Sequence, residues 1–219
     1  MNKLTRREDL KHLFKDGQTI MVGGFMTCGT PEGLVDLLVE MNVRDLTIVC
    51  NDAGLPGKGV GKLLKNNQIK KLIASHIGLN PEAGQQMNDG VMEVQLVPQG
   101  TLAERIRAGG AGLGGILTHV GVGTIVEEEK QKIVVDGHEY LLELPLKADV
   151  TLLYASIADK AGNVFYKGTT RNFNPVMAMA AATVVCEADE VVEIGKLAPE
   201  HAITPGVLVD HVVAKGGSK

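Results

Sequence analysis

Thr19-Ile-Met-Val-Gly23-Gly24-Phe25-Met26-Thr27-Cys28-Gly29-Thr30-Pro31 sets an apolar β-branched run, a glycine-punctuated turn and the start of an amphipathic segment in one line. Thr19 to Val22 reads as a buried strand, and Leu34, Val35, Leu37, Leu38 and Met41 fall on one helical face. Thr30 is expected to cap that helix and Pro31 to take its first position, where a missing N–H costs nothing. Glu32 then complements the positive end of the helix dipole. Gly23 and Gly24 permit backbone angles that other residues resist, and with Gly29 they leave N–H groups open to a ligand. Such a loop suits a phosphate or a carboxylate.

Working outward, a short helix is expected over 6–15, then further strands over 46–50, 71–75, 92–97, 150–156 and 183–187. Several are almost wholly apolar, the mark of a parallel sheet covered on both faces. Helices are expected between many of them, over 31–41, 59–66, 81–88, 101–108 and 174–182. This alternation predicts an α/β fold, an open, mostly parallel doubly wound sheet with flanking helices. Asp136-Gly137 between two strand-like runs predicts a β-hairpin insertion that caps an edge or lies over the sheet. The sequence carries no repeat or linker, so a single domain over 1–219 is expected, with a frayed tail over 214–219.

Aromatic residues make up only 3% of the chain and Trp is absent, so the core must be aliphatic and base-stacking platforms are disfavoured. A net charge of −4 leaves no basic footprint for nucleic acid or an anionic membrane. Cys28, Cys50 and Cys186 are odd in number and far apart, which points to a reducing compartment. The charged N-terminus lacks an apolar core after it, and no window is long and apolar enough to span a bilayer, so a cytoplasmic protein is expected.

In open α/β sheets, ligands gather at the carboxyl ends of the strands. Asn51 and Asp52, Ser75 and His76, and Gln99 and Gly100 end three expected strands, and with Gly23 to Gly29 they would line one rim. Taken singly, short polar residues merely terminate strands. Four coincident endings favour a site. The opening loop has the Walker A spacing from Gly24 to Gly29-Thr30 but lacks its Lys, and it lacks the dinucleotide glycine pattern. The histidines show no paired ligand spacing, so no metal site is expected. Cys28 reads as a small buried hydrophobe, and Glu104 as a surface ion pair with Arg107 one turn on. The glycines of 109–115 exceed what a helix cap needs and imply close passage by another chain or a ligand. Lys160, Lys167 and Arg171 flank the 168–175 segment, where they are either solvated or offered to phosphate.

The pattern Asp16-Gly17, Ile20-Met21-Val22-Gly23-Gly24-Phe25, Gly29 and Pro31 resembles the alpha subunit of family I coenzyme A transferases. Asn51-Asp52-Ala-Gly54, Ser75-His76, Pro98-Gln99-Gly100-Thr101, Arg105 to Gly112 and Arg171-Asn172-Phe173-Asn174-Pro175 are similar to that family in order and spacing. The resemblance implies transfer of CoA between a short-chain acyl-CoA and a carboxylate such as acetate, butyrate or acetoacetate. CoA and acyl-CoA would be substrates, with no permanently bound cofactor. It implies CoA contact at Gly23, Gly24, Phe25, Met26, Thr27, Cys28 and Gly29, oxyanion support from Gln99, and a rim of Asn51, Ser75 and Gly100. The family's nucleophilic glutamate lies in a Ser-Glu-Asn-Gly motif that this sequence lacks. The resemblance therefore implies a beta subunit that supplies it, an α2β2 assembly, and an alpha chain inactive alone. Two other readings compete: a binding module for a phosphorylated metabolite, and a sugar-phosphate isomerase that uses Asp52 and His76 as acid and base.

Overall fold

The computed structural model describes residues 1–216. A 3₁₀ segment, Arg7–Leu13, leads into the central strand β1 (Thr19–Val22). Then follow α1 (Glu32–Met41), β2 (Leu46–Val49), α2 (Gly61–Lys65), β3 (Ile69–Ala74), α3 (Pro81–Asn88), β4 (Glu93–Leu96) and α4 (Gln99–Ala111). Next come β5 (Ile116–Thr118), β6 (Lys132–Val135), β7 (His138–Glu143), β8 (Ala148–Asp159), β9 (Val164–Phe165), α5 (Asn174–Met177), β10 (Ala181–Val192) and β11 (His211–Ala214). The main sheet runs β11-β10-β8-β1-β2-β3-β4 with every neighbouring pair parallel, and β9 adds to β8 antiparallel.

The expected doubly wound sheet is present, and the strands explain why. Ile20, Val22, Ile48, Leu72 and Leu152 pack in one core under α1, α2 and α3. Their sequence neighbours Met21, Val49, Ile73 and Leu153 pack in a second core under α4 and α5. Period-two alternation thus buries both faces, and each fully buried Leu or Ile side chain contributes about 1.5–3 kcal/mol. Connections leave β1 toward β4 on one side, and the chain returns to β8 on the other. The strand order therefore reverses between β1 and β8, the kind of position at whose carboxyl ends open α/β sheets hold their ligands.

Several local expectations change. The first helix is 3₁₀ rather than α and shorter than expected. Thr30 does not cap α1: its N-cap is Pro31, which has no side-chain cap, and the Gly33 N–H donates instead to Glu187 Oε1 of β10 at 3.2 Å. Glu32 reaches across to α2, accepting from the Gly59 N–H at 2.9 Å and from Lys62 Nζ at 2.6 Å. The helix expected over 174–182 stops at Met177, because Ala181 already pairs with Ala148.

Asp136 and Gly137 form the expected turn, both with positive φ. The hairpin β6-β7 does not cap the main sheet; with β5 it makes a separate antiparallel sheet. That sheet is tied to α4 through buried charge: Arg105 Nη1 lies 3.7 Å from Glu143 Oε2, and Lys130 Nζ lies 2.5 Å from Glu143 Oε1. Two glycines in the last turn of α4 let other segments of the chain pass close. A Cβ on Gly109 would lie 1.9 Å from the Leu146 carbonyl oxygen, and one on Gly110 would meet the backbone of Met179. At Gly109 and Gly110 the close passage is by the chain's own segments. Ala214 ends β11, and residues 217–219 of the expected frayed tail lie outside the described residues.

Candidate active site

At the end of β1 the Gly23 N–H continues the ladder to the Leu152 carbonyl at 3.0 Å, and the chain then turns back sharply. Phe25 and Cys28 pair through two backbone hydrogen bonds of 3.0 and 2.8 Å around Met26 and Thr27. Met26 (φ 48°) and Thr27 (φ 67°) are both left-handed, a conformation that a β-branched Thr adopts at a cost of about 1–3 kcal/mol. Two neighbours hold it there. From the β2 end, Asp52 Oδ2 accepts from the Met26 N–H at 2.8 Å; from the opposite side, Asn172 Oδ1 accepts from the Gly24 N–H at 3.1 Å.

The loop is therefore not an open nest of donors. The N–H groups of Gly23, Gly24, Phe25, Met26, Cys28 and Thr30 all donate within the chain, while those of Thr27 and Gly29 have no protein acceptor among the described residues. The glycines also face inward. A Cβ on Gly23 would fall 2.0 Å from Asn174 Oδ1, and one on Gly24, where φ is +122°, would fall 2.0 Å from Thr30 Oγ1. What the loop offers outward is side chain: Phe25 and Met26 are 39% and 43% exposed. Cys28 is exposed as well, its Sγ 3.4 Å from Thr169 Oγ1, rather than the buried hydrophobe expected.

The side chains of Asn51, Ser75 and Gln99 meet where the strands end. Ser75 Oγ donates to the Asn51 carbonyl at 2.6 Å, and Gln99 Nε2 donates to Asn51 Oδ1 at 2.9 Å. Asn51 is fully buried, and its own Nδ2 donates to Asp52 Oδ2 at 3.0 Å. This chain of amides fixes orientation. An ionised carboxylate only accepts, so Asn51 must turn its nitrogen to Asp52 and its oxygen to Gln99, which leaves Gln99 with one uncommitted N–H and its carbonyl oxygen. Gln99 opens α4, whose N-cap, Pro98, has no side-chain cap. Gly100 is exposed beside it, with nothing within 4 Å of where a Cβ would sit. Asp52 and His76 share a backbone bridge but no side-chain hydrogen bond, and Asp52 also accepts from the Gly54 N–H at 2.8 Å. The carboxylate is committed to holding loops, which removes the geometric basis for an acid–base pair with His76.

Gln99 and Phe25 open onto a cavity of about 730 Å³. Its walls are apolar where Ala103, Phe173, Val176, Met179 and Leu208 meet, and cationic where Arg107 and Arg171 approach. No Asp or Glu is among the described residues that line it. Arg107 is held by Glu104 at 3.1 Å, the expected surface pair, whereas Arg171 has no ion-pair partner among the described residues. Lys160 pairs with Glu193 and stays away from the cavity. Sequence reading missed the cavity's far wall of Ile203, Thr204, Pro205 and Leu208, because this irregular segment carries no motif. No group of His, Cys, Asp and Glu among the described residues is arranged to hold a metal ion. No helix among them is long and apolar enough to cross a membrane.

A family model, coenzyme A transferase, matches residues 5–215. The chain belongs to the coenzyme A transferase family. It is 58% identical over 97% of its length to the acetoacetyl-CoA:acetate/butyrate CoA transferase alpha subunit of Clostridium acetobutylicum, covering 97% of that protein. It is 52% identical to the acetate CoA-transferase subunit alpha of Escherichia coli, with 99% of each chain covered. Among solved structures it superposes on an Escherichia coli acyl-CoA transferase apoenzyme with a TM-score of 0.86 at 20% identity, over 98% of this chain. The chain spans about half of that larger protein, 47% of its length. As a member of the family, the chain is a CoA-transferase alpha subunit, and the cavity beside Phe25 and Gln99 is its candidate active site.

Proposed function

We propose that this subunit supplies the non-nucleophilic half of a site that moves CoA between a short-chain acyl-CoA and a carboxylate such as acetate, butyrate or acetoacetate. The observation that carries the reading is the cavity's chemistry. Two guanidinium groups, an oriented amide and an apolar wall meet with no carboxylate among the lining residues. An anionic substrate fits such a surface. A carboxylate nucleophile has to enter from a partner, which we assign to a beta subunit bearing a Ser-Glu-Asn-Gly motif in an α2β2 assembly. Such an assembly belongs in the cytoplasm, where acyl-CoA is formed and used.

In the proposed cycle the partner's glutamate attacks the thioester carbonyl, and its electron pair moves onto the carbonyl oxygen. The free N–H of Gln99 meets that oxyanion; one such donor is typically worth about 3–4 kcal/mol in the transition state. Collapse expels the CoA thiolate and leaves an acyl-glutamyl anhydride. Thiolate attack on the glutamyl carbonyl releases the first carboxylate and leaves an enzyme thioester, which the second carboxylate takes through the reverse steps. The Gly23–Gly29 loop, with Phe25 and Met26 at its tip, forms the wall against the acyl-CoA, and Asn51, Ser75 and Gly100 form the rim beside Gln99.

The test uses purified chain with and without its partner. The chain alone should give no CoA transfer, and the complex should transfer CoA to acetate or acetoacetate. Hydroxylamine trapping after acyl-CoA treatment should modify the partner's glutamate. Full turnover by the isolated chain, or a trapped residue within it, rejects the reading.

A further inference from the structure

One turn of chain, between the 3₁₀ segment Gly168–Arg171 and α5, touches the loop and the cavity at once. Arg171 lines the cavity, and the next residue, Asn172, faces the loop. Asn172 Oδ1 accepts from the N–H groups of Gly24 at 3.1 Å and Phe173 at 2.7 Å, while its Nδ2 donates to the carbonyls of Cys28 and Thr169, both at 3.0 Å. Backbone N–H and C=O groups have fixed polarity, so the carboxamide has one possible orientation and every polar atom in it is used.

Gly24 and Cys28 bracket the left-handed pair Met26–Thr27, and Phe25 projects from between them into the cavity beside Gln99. One side chain thus grips both feet of the turn. Asn174 stands behind it, fully buried: its Oδ1 accepts from the Tyr154 N–H at 2.9 Å, and its Nδ2 donates to the Gly29 carbonyl at 3.0 Å. Asn172 itself sits at φ 20°, ψ −120°, outside the regions that side chains favour. Backbone need alone does not explain the residue, because glycine takes such angles more readily.

We infer that Asn172 is a positioning residue: by clamping Gly24 and Cys28 it sets the place of Phe25 and the loop against the reacting acyl-CoA. The inference rests on the transferase reading. Its role is geometric. Misplacing a group by about 1 Å at a reacting centre costs on the order of 100-fold in rate, so the clamp acts on turnover more than on affinity.

Two variants in the complex with the partner subunit test this. Asn172→Gly relieves the backbone and removes the clamp; Asn172→Asp keeps both accepting contacts but sets an oxygen against the Cys28 and Thr169 carbonyls. For both we expect kcat to fall about 10- to 100-fold with KM for acyl-CoA within about threefold, and Asn172→Gly to keep the thermal midpoint of the wild type. A wild-type kcat in both variants overturns the inference, as does a loss that vanishes when rates are expressed per assembled complex. A wild-type complex without CoA transfer overturns the transferase reading and the inference with it; an active wild type with unchanged variants overturns the inference alone.

Discussion

Asn51 Oδ1 accepts from Gln99 Nε2 at 2.9 Å while Asn51 Nδ2 is held by Asp52 at 3.0 Å, so a buried carboxylate sets the face that Gln99 turns to the cavity. Asp52→Asn replaces two accepting oxygens with one, and one of the donors from Met26, Gly54 or Asn51 then meets an N–H. In the assembled enzyme kcat should drop at least about tenfold, the scale of a lost preorganised donor. Steady-state kinetics with Gln99→Ala as the reference checks it: the double variant should be little worse than Gln99→Ala alone, and additive losses would break the proposed link.

Gly24→Ala should cost about 2–4 kcal/mol, because a Cβ there lies 2.0 Å from Thr30 Oγ1 at a backbone φ of +122°. Thr30→Ala removes that oxygen and should restore part of the loss. Urea unfolding of both single variants and the double variant measures the coupling. Zero coupling would mean that Gly24 is required for its backbone angle alone.

Glu187 is buried, and burial raises its carboxyl pKa despite the Gly33 N–H that it accepts. The folded chain then holds this proton more tightly than the unfolded chain. Its contribution is favourable at low pH and declines as pH rises above the ordinary value of 4.5. The stability of Glu187→Gln relative to wild type should therefore increase from pH 4.5 to 8, read by chemical denaturation across that range. A flat difference rejects the assignment.

His211 runs the other way. Burial lowers its pKa from 6.5, so stability is complete above that value and is lost as pH falls below it, when the unfolded chain takes up the proton first. His211→Gln should flatten the profile between pH 7 and 5.

Glu143 is 2% exposed and faces both Arg105 and Lys130. Truncating it leaves Arg105 buried without its partner. Glu143→Ala should destabilise by about 3–5 kcal/mol, seen as a fall in thermal midpoint, whereas Lys130→Ala should cost much less because Arg105 keeps its carboxylate.

The sheet was legible because Ile20, Met21 and Val22 carry apolar groups on both faces, and no arrangement other than two covering layers buries both. That Asn51, Ser75 and Gln99 would meet was legible because strand ends gather at one edge of a parallel sheet. What escaped was everything set by contacts distant in the chain. Thr30 has the chemistry of a cap, but Glu187, 154 positions beyond Gly33, takes the Gly33 N–H instead. Cys28 has the burial habits of its type, yet two left-handed residues before it turn its side chain outward. In a linear chain the loop glycines look like openings for a ligand. In the folded chain their missing side chains make room for Asn174 and Thr30.

That inward packing carries an evolutionary consequence. Gly23 with Asn174, Gly24 with Thr30, and Gly33 with Glu187, whose Oε2 lies 2.5 Å from a Cβ at Gly33, each share one small volume. Neither member of a pair can grow unless the other shrinks. Across the family these positions should change together or stay fixed together, so that a lineage with alanine at the place of Gly23 carries a smaller residue at the place of Asn174.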